Sequence, residues 1–242
     1  MKKIILSSTV ALMMATSANA FMGINAEVGG GVWMPALSGD ATISGSDKVD
    51  FSSANMDDKK ASGNNYMYAD FSHFVPIVPN VRAEKLNYNI ESASGTAVDM
   101  KQTDIIAYWG VPLIGLATAG ILNINFGIDA KNLKGTVDTN TSTNPINFDE
   151  TLPLVYLNAR ISVPFAPINI EATTKALSYD GASISDSEAK VSVKLPIPLP
   201  LIDFKVDVGY RAQNVTIPDS LVGGLNAKID TKGMFFGMSA KF

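Results

Sequence analysis

Between Leu122 and Gln213 apolar and polar positions alternate strictly, segment after segment. Leu122, Ile124, Phe126, Ile128 and Ala130 interleave with Asn123, Asn125, Gly127, Asp129 and Lys131. The same alternation runs through Leu154–Val163, Ile168–Leu177, Glu188–Leu195 and Ile202–Gln213. Over the five segments one face has 25 positions and no charge, while the other has 25 positions and 12 charges. Successive residues of a strand point to opposite faces of a sheet, so a period of two predicts strands. A helical repeat would scatter those charges around its surface.

Five weaker segments extend the pattern: Ile24–Trp33, Asn65–Val75, Val81–Ile90, Val98–Trp109 and Met234–Phe242. Val81–Ile90 starts in phase, with Arg82 and Glu84 on its polar face, then loses phase near Lys85, which predicts a bulge. The links alternate as well. Residues 34–64 and 132–151 are long and polar, with shorter polar links at 91–97, 180–187 and 214–226. The opposite strand ends carry compact apolar links at Pro76–Pro79, Pro164–Pro167 and Pro196–Pro200, and a longer one at Gly110–Gly120. This rhythm predicts an all-β fold, an antiparallel up-and-down barrel of about ten strands. Eight strands is the nearest alternative, if Val81–Ile90 and Val98–Trp109 pair irregularly.

Composition narrows the class. An apolar content of 46% excludes a disordered chain, and the absence of cysteine excludes a disulfide scaffold and any thiolate metal site. A formal charge of −4 leaves no basic footprint, so nucleic acid is not an expected partner. Lys2 and Lys3, the apolar run Ile4–Ala15 and Ala18-Asn19-Ala20 make a secretory signal peptide cleaved before Phe21. Residues 21–242 then form a single barrel domain. Ile105–Leu122 carries no charge over 18 residues and is long enough to suggest a membrane helix. Its Gly110, Pro112, Gly115 and Gly120 and its alternating flanks instead predict an apolar hairpin end with a short helical turn over residues 113–119.

Alternation alone does not say which face meets water. Strands of ~9–11 residues reach across a bilayer at a tilt, and bacterial single-chain barrels have even strand numbers. Trp33, Trp109, Phe165 and Tyr179 fall near predicted strand ends, where interfacial aromatic girdles belong. Phe242 ends the chain on an alternating strand. These features predict a transmembrane barrel. A soluble lipid carrier is the weaker reading.

A terminal aromatic on such a strand resembles the signal read by the outer-membrane assembly machinery. The mature chain resembles an uncharacterised family of small outer-membrane β-barrel proteins of Gram-negative bacteria. The resemblance rests on Glu27-Val28-Gly29-Gly30-Gly31-Val32-Trp33, on the run His73–Arg82, on Gln102-Thr103-Asp104, on Ser178-Tyr179-Asp180-Gly181 and on Val208-Gly209-Tyr210-Arg211. It implies an outer-membrane location with both termini periplasmic and a monomeric state. Outer-membrane lipids, the barrel assembly machinery and periplasmic chaperones are the implied partners.

Chemistry must come from the polar face. It carries the cations Arg82, Lys131, Arg160, Lys175, Lys190, Lys194, Lys205, Arg211 and Lys241. Against them stand Glu27, Asp70, Glu84, Asp104, Asp129, Glu171, Glu188, Asp203 and Asp207. Small barrels are filled by side chains, and aqueous channels need ~16 strands. The balanced charges are therefore expected to pair into a network that fills the lumen. Arg160 and Glu171 flank a short turn and are expected to form one such pair, in bidentate geometry. The function this supports is a non-catalytic barrel of envelope structure or surface contact. The alternative is a narrow ion or small-solute channel, or a lipid-handling barrel, that uses the charged lumen.

No catalytic residue is expected. His73 is the only histidine, and Ser72 beside it points to the opposite face. His73 is expected at the rim, as part of the girdle. Asp47, Asp50, Asp57 and Asp58 offer oxygen donors but lack EF-hand spacing and are interspersed with Lys48, Lys59 and Lys60, so no metal or other cofactor is expected. Gly29-Gly30-Gly31 lies inside a strand, which excludes a phosphate loop and predicts close approach of side chains from across the lumen.

Overall fold

A computed structural model describes residues 23–43, 49–50, 64–91, 97–138, 146–179, 181–199, 201–218 and 225–242. The expected signal peptide, residues 1–20, lies outside them, as do Asp47, Asp57, Asp58, Lys48, Lys59 and Lys60. Of Asp50 only the backbone is described.

Among the described residues ten long strands form one sheet: β1 Asn25–Ile43, β2 Asn65–Ser72, β3 Asn80–Glu91, β4 Ala97–Gly110, β5 Leu122–Asp138, β6 Ile146–Ser162, β7 Ile168–Tyr179, β8 Ala182–Lys194, β9 Asp203–Ile217 and β10 Leu225–Lys241. A two-residue bridge, Val49–Asp50, adds to β1. Each long strand pairs antiparallel with its chain neighbours, and β10 returns to β1 from Glu27↔Lys241 to Ile43↔Leu225. The sheet is thus a closed up-and-down barrel. Beyond β10 the Phe242 N–H donates to the Ala26 carbonyl at 2.8 Å and carries the seam one residue further.

The alternation sorts directly onto the two faces. Phe126, Ile128, Val155 and Leu157 are exposed on the outside, while Asp129 and Lys131, between them in sequence, are 1% exposed inside. On β9 the outward row Phe204, Val206, Val208, Tyr210 and Ala212 spans about 27 Å of strand, or ~21 Å of membrane at a ~40° tilt. The belt ends at Lys85, Thr103, Asn132 and Thr151, which stand opposite one another across four paired strands. An uncharged outside around a charged inside inverts a water-soluble barrel. The chain is a transmembrane β-barrel.

Four expectations are corrected. No bulge occurs at Lys85, because β3 pairs without interruption with β2 from Val81↔Phe71 to Asn87↔Asn65, and with β4 from Asn80↔Tyr108 to Glu91↔Ala97. The inward row simply turns apolar at Leu86 and Tyr88, and Lys85 projects outward at the belt edge. The polar links at 34–64, 132–151, 180–187 and 214–226 are also shorter than expected, since β1, β5, β6, β8, β9 and β10 all run into them. Above the belt the outward face turns polar, as where Lys134 pairs with Asp149 at 2.8 Å and Thr136 donates to Asn147 at 2.8 Å, while Leu133 and Phe148 point inward. Alternation inverts there while the ladder continues.

Trp33 is the third correction. It is 1% exposed inside the barrel and donates its indole N–H to the Gly233 carbonyl at 3.2 Å. Trp33 shares the inward row with Glu27, and because β1 extends to Ile43 it falls mid-strand rather than at a strand end. Trp109 and Phe165 do lie on the outside, with Trp109 stacked on Phe126 at 6.2 Å between ring centroids, whereas Tyr179 is exposed at the end of the inward row of β7. Fourth, the glycine run is approached from the adjacent strand rather than from across the lumen. A Cβ on Gly29 would sit 2.5 Å from the ring of Tyr68, its direct partner on β2. Phe235 covers Gly209 and Phe148 covers Gly135 in the same way.

At the end where β1 begins and β10 finishes, a short helix α1, Ile114–Ala117, occupies the long apolar link. The Thr118 hydroxyl donates to the Ile114 carbonyl at 2.8 Å and accepts from the Leu122 N–H at 3.1 Å, tying α1 to β5. No helix among the described residues is long and apolar enough to cross a membrane. The crossing is made by strands.

Candidate functional site: a stratified lumen

The inward rows of the ten strands divide the lumen into three strata. At the inner end, beside the proline links, lies a polar well of about 220 Å³. A charged stratum closes it, and an apolar plug closes the lumen again above that.

The charged stratum is a chain of alternating sign drawn from seven strands. Asp70 faces Arg82 at 3.6 Å, and Arg82 donates to Glu84 at 2.6 Å. Lys175 bridges Glu84 and Asp104, at 2.5 Å to each. Lys131 bridges Asp104 and Asp186, at 2.8 Å to each, and Asp186 also takes Arg211. Asp104, Lys131, Lys175 and Asp186 are all buried. An ion taken from water into a protein interior loses several kcal/mol of hydration, so each of these charges depends on its neighbours. Gln213 donates to both Gln102 at 2.9 Å and Asp186 at 3.0 Å, which roofs the stratum with amides.

Two side branches hang from the wall. Glu27 accepts from Lys205 at 2.7 Å and from the Tyr68 hydroxyl at 2.8 Å. Glu171 accepts from Arg160 and from Asn158, and Lys190 stands 3.9 Å away. The register does oppose Arg160 to Glu171 and Ser162 to Asn169. The pair is not a bidentate fork, because Nε and Nη2 of Arg160 both reach Oε2, at 2.8 and 2.7 Å, leaving Oε1 to Asn158. Arg82 also lies over the Tyr68 ring, 4.1 Å from its centroid.

All eighteen charged positions read from the sequence as lumen-facing lie on inward rows. Lys194 and Asp203 pair at 2.6 Å at the half-exposed inner edge. Arg211 also reaches Glu188 at 3.9 Å. Three of the eighteen stand apart among the described residues. Neither carboxylate oxygen of Asp129 or Asp207 has a hydrogen-bond partner, and Lys241 has no carboxylate within 4 Å. Asp186, the hub of the network, was missed because the alternation was cut at Glu188. Two residues further back, on the same row, it was readable.

The plug is the second thing the alternation did not disclose. Trp33, Leu37, Leu86, Tyr88, Met100 and Phe235 form one buried cluster inside the outer half of the barrel. Tyr88 meets Trp33 edge-on at 5.5 Å and donates its hydroxyl to the Met100 sulfur at 3.1 Å. His73 sits at the inner rim, where Nδ1 accepts from the Val75 N–H at 3.2 Å and the ring meets Phe71 edge-on at 6.2 Å.

Solved structures that resemble this fold are bacterial barrels. Neisserial surface protein A is 12% identical with a TM-score of 0.35, covering 91% of this chain and 97% of its own. Ail of Yersinia pestis is 11% identical at 0.33, covering 91% and 99%. A FadL homologue of Pseudomonas aeruginosa is 9% identical at 0.34, covering 90% and 89%. No protein-family model matches the chain, and no curated protein matches it. At such low scores the assignment as a transmembrane barrel rests on this chain's own register and belt.

Proposed function

We propose that the protein is a non-conducting, non-catalytic integral barrel of the outer membrane, serving envelope structure or surface contact. In this reading residues 1–20 direct export, the proline links and both termini face the periplasm, and the polar strand extensions face outward. Outer-membrane lipids cover the belt, Phe242 is read by the assembly machinery after periplasmic chaperones deliver the chain, and the barrel is a monomer.

The observation that carries this reading is the double closure of the lumen. A hydrated ion entering from the inner end meets the salt-linked stratum first. Beyond it the plug's polar groups, the Tyr88 hydroxyl and the Trp33 indole N–H, are already engaged and cannot replace lost water, and an apolar constriction excludes ions. Purified protein in planar bilayers is expected to be electrically silent. Truncating the plug in a Trp33→Ala, Leu86→Ala double variant is expected to leave the charged stratum as a single barrier and to raise the frequency of conductance events. Reproducible ion-selective steps from the unmodified protein would establish the channel reading instead.

A further inference from the structure

We propose that the well at the inner mouth is a binding site for a small hydroxylated carboxylate of the size of a sugar acid. The argument starts from space. The well holds about 220 Å³, and at ~30 Å³ per water that is room for roughly seven waters, or one monosaccharide. The wall is polar, so an apolar ligand has nothing to gain there.

Charge selects the sign. Every carboxylate lining the well is already matched: Glu27 by Lys205, Asp70 by the Tyr108 hydroxyl, Glu171 by Arg160. The unmatched groups are cationic. Lys241 stands opposite both Glu27 and Asp203 in register, yet Glu27 is held by Lys205 and Asp203 by Lys194. Arg160 uses Nε and Nη2 on Glu171, keeps Nη1 free, and is 31% exposed to the well. An arriving cation would find no free carboxylate. An arriving carboxylate finds an ammonium and one guanidinium edge, which suit its two oxygens.

Amides select the rest of the ligand. Asn25 and Asn123 line the well without a side-chain partner, and Asn125 donates only to Asn158. Each amide offers a donor and an acceptor side by side, the complement of a hydroxyl. Tyr108 and Tyr156, buried with their rings 5.8 Å apart, line the same space and hold its wall rigid.

The test is calorimetric titration of the full mature barrel in detergent with D-glucuronate, D-glucose and acetate. Glucuronate is expected to bind saturably and at least tenfold more tightly than the other two. Lys241→Gln breaks no ion pair, so the barrel should fold, and it should weaken glucuronate tenfold or more while leaving glucose unchanged. Arg160→Gln should do the same, with retained heat-modifiable migration confirming the fold. Equal affinity for glucose and glucuronate, no saturable binding, or unchanged affinity in Lys241→Gln would each overturn the proposal. Conductance of the same preparation reports lumen closure separately, so binding and plugging fail independently.

Discussion

The two halves of the lumen fill similar space with opposite chemistry. In the inner half, Asp104 collects two lysines and Asp186 collects a lysine, an arginine and a glutamine. In the outer half, six apolar and aromatic side chains close on one another with few directed contacts. An apolar cluster loses only what is cut from it. A charge network loses that, and the hydration its remaining members gave up as well.

The strongest test of this contrast pits one residue of each kind against the other. Lys131→Met should cost ~4 kcal/mol, since it strips a partner from two buried carboxylates at once. Leu86→Ala should cost ~3 kcal/mol through lost burial and a residual cavity. Urea unfolding in detergent checks the ranking, and a larger loss for Leu86→Ala would break the comparison. Next in size is a coupling of ~2 kcal/mol between Arg160 and Glu171 in a double-mutant cycle of Arg160→Met and Glu171→Met. The double variant should be more stable than Glu171→Met alone, and strictly additive losses would contradict the pair.

Within the charged half, not every charge is equal. Asp207 is buried and neither of its oxygens has a partner among the described residues, so Asp207→Asn should raise stability by ~1 kcal/mol. Asp186→Asn should lower it, because it weakens the hub. Thermal unfolding of the two variants side by side decides whether connection rather than charge governs. The smallest effect lies above the belt. The Asp149 carboxyl is held below its ordinary range by hydrogen bonds from Lys134 and then Asn132. A lowered folded value means that any stability from this group is present at neutral pH and lost as pH falls below about 4. Asp149→Asn should remove that small contribution at neutral pH, leave stability below about pH 4 unchanged, and so flatten the acid limb.

How much of this was legible depends on what each face borders. Lipid tolerates no charge mid-span, so the uncharged row shows in the sequence strand after strand. The opposite row shows equally well where it is charged, and the short turn at Pro164–Pro167 fixed Arg160 against Glu171. Legibility ends where the inside turns apolar. Trp33, Leu86 and Tyr88 share the inward rows with Glu27 and Glu84, but Trp33 stands between Val32 and Met34 with no contrast to read. Leu86 and Tyr88 stand between Lys85, Asn87 and Asn89, where the pattern reverses and reads as lost phase. The same inversion hid the strand extensions, where Lys134 and Asp149 point outward and Leu133 and Phe148 point inward. Unpaired Lys241 and the well around it depend on three-dimensional neighbours from β1, β9 and β10, and no spacing in one segment announces them.

The glycines that seat aromatic rings have a consequence for how such a barrel comes together. Gly29 and Tyr68, Gly135 and Phe148, and Gly209 and Phe235 are each direct partners across a hairpin or the β1–β2 boundary. Sliding β10 by two residues along β9 would set Phe235 against Asp207 or Arg211, where a side chain already occupies the space that Gly209 leaves open. Each of these strand pairs therefore proofreads its own alignment, with a lock that turns only in step. That check operates between nearest neighbours, before any salt link across the lumen has a partner to find.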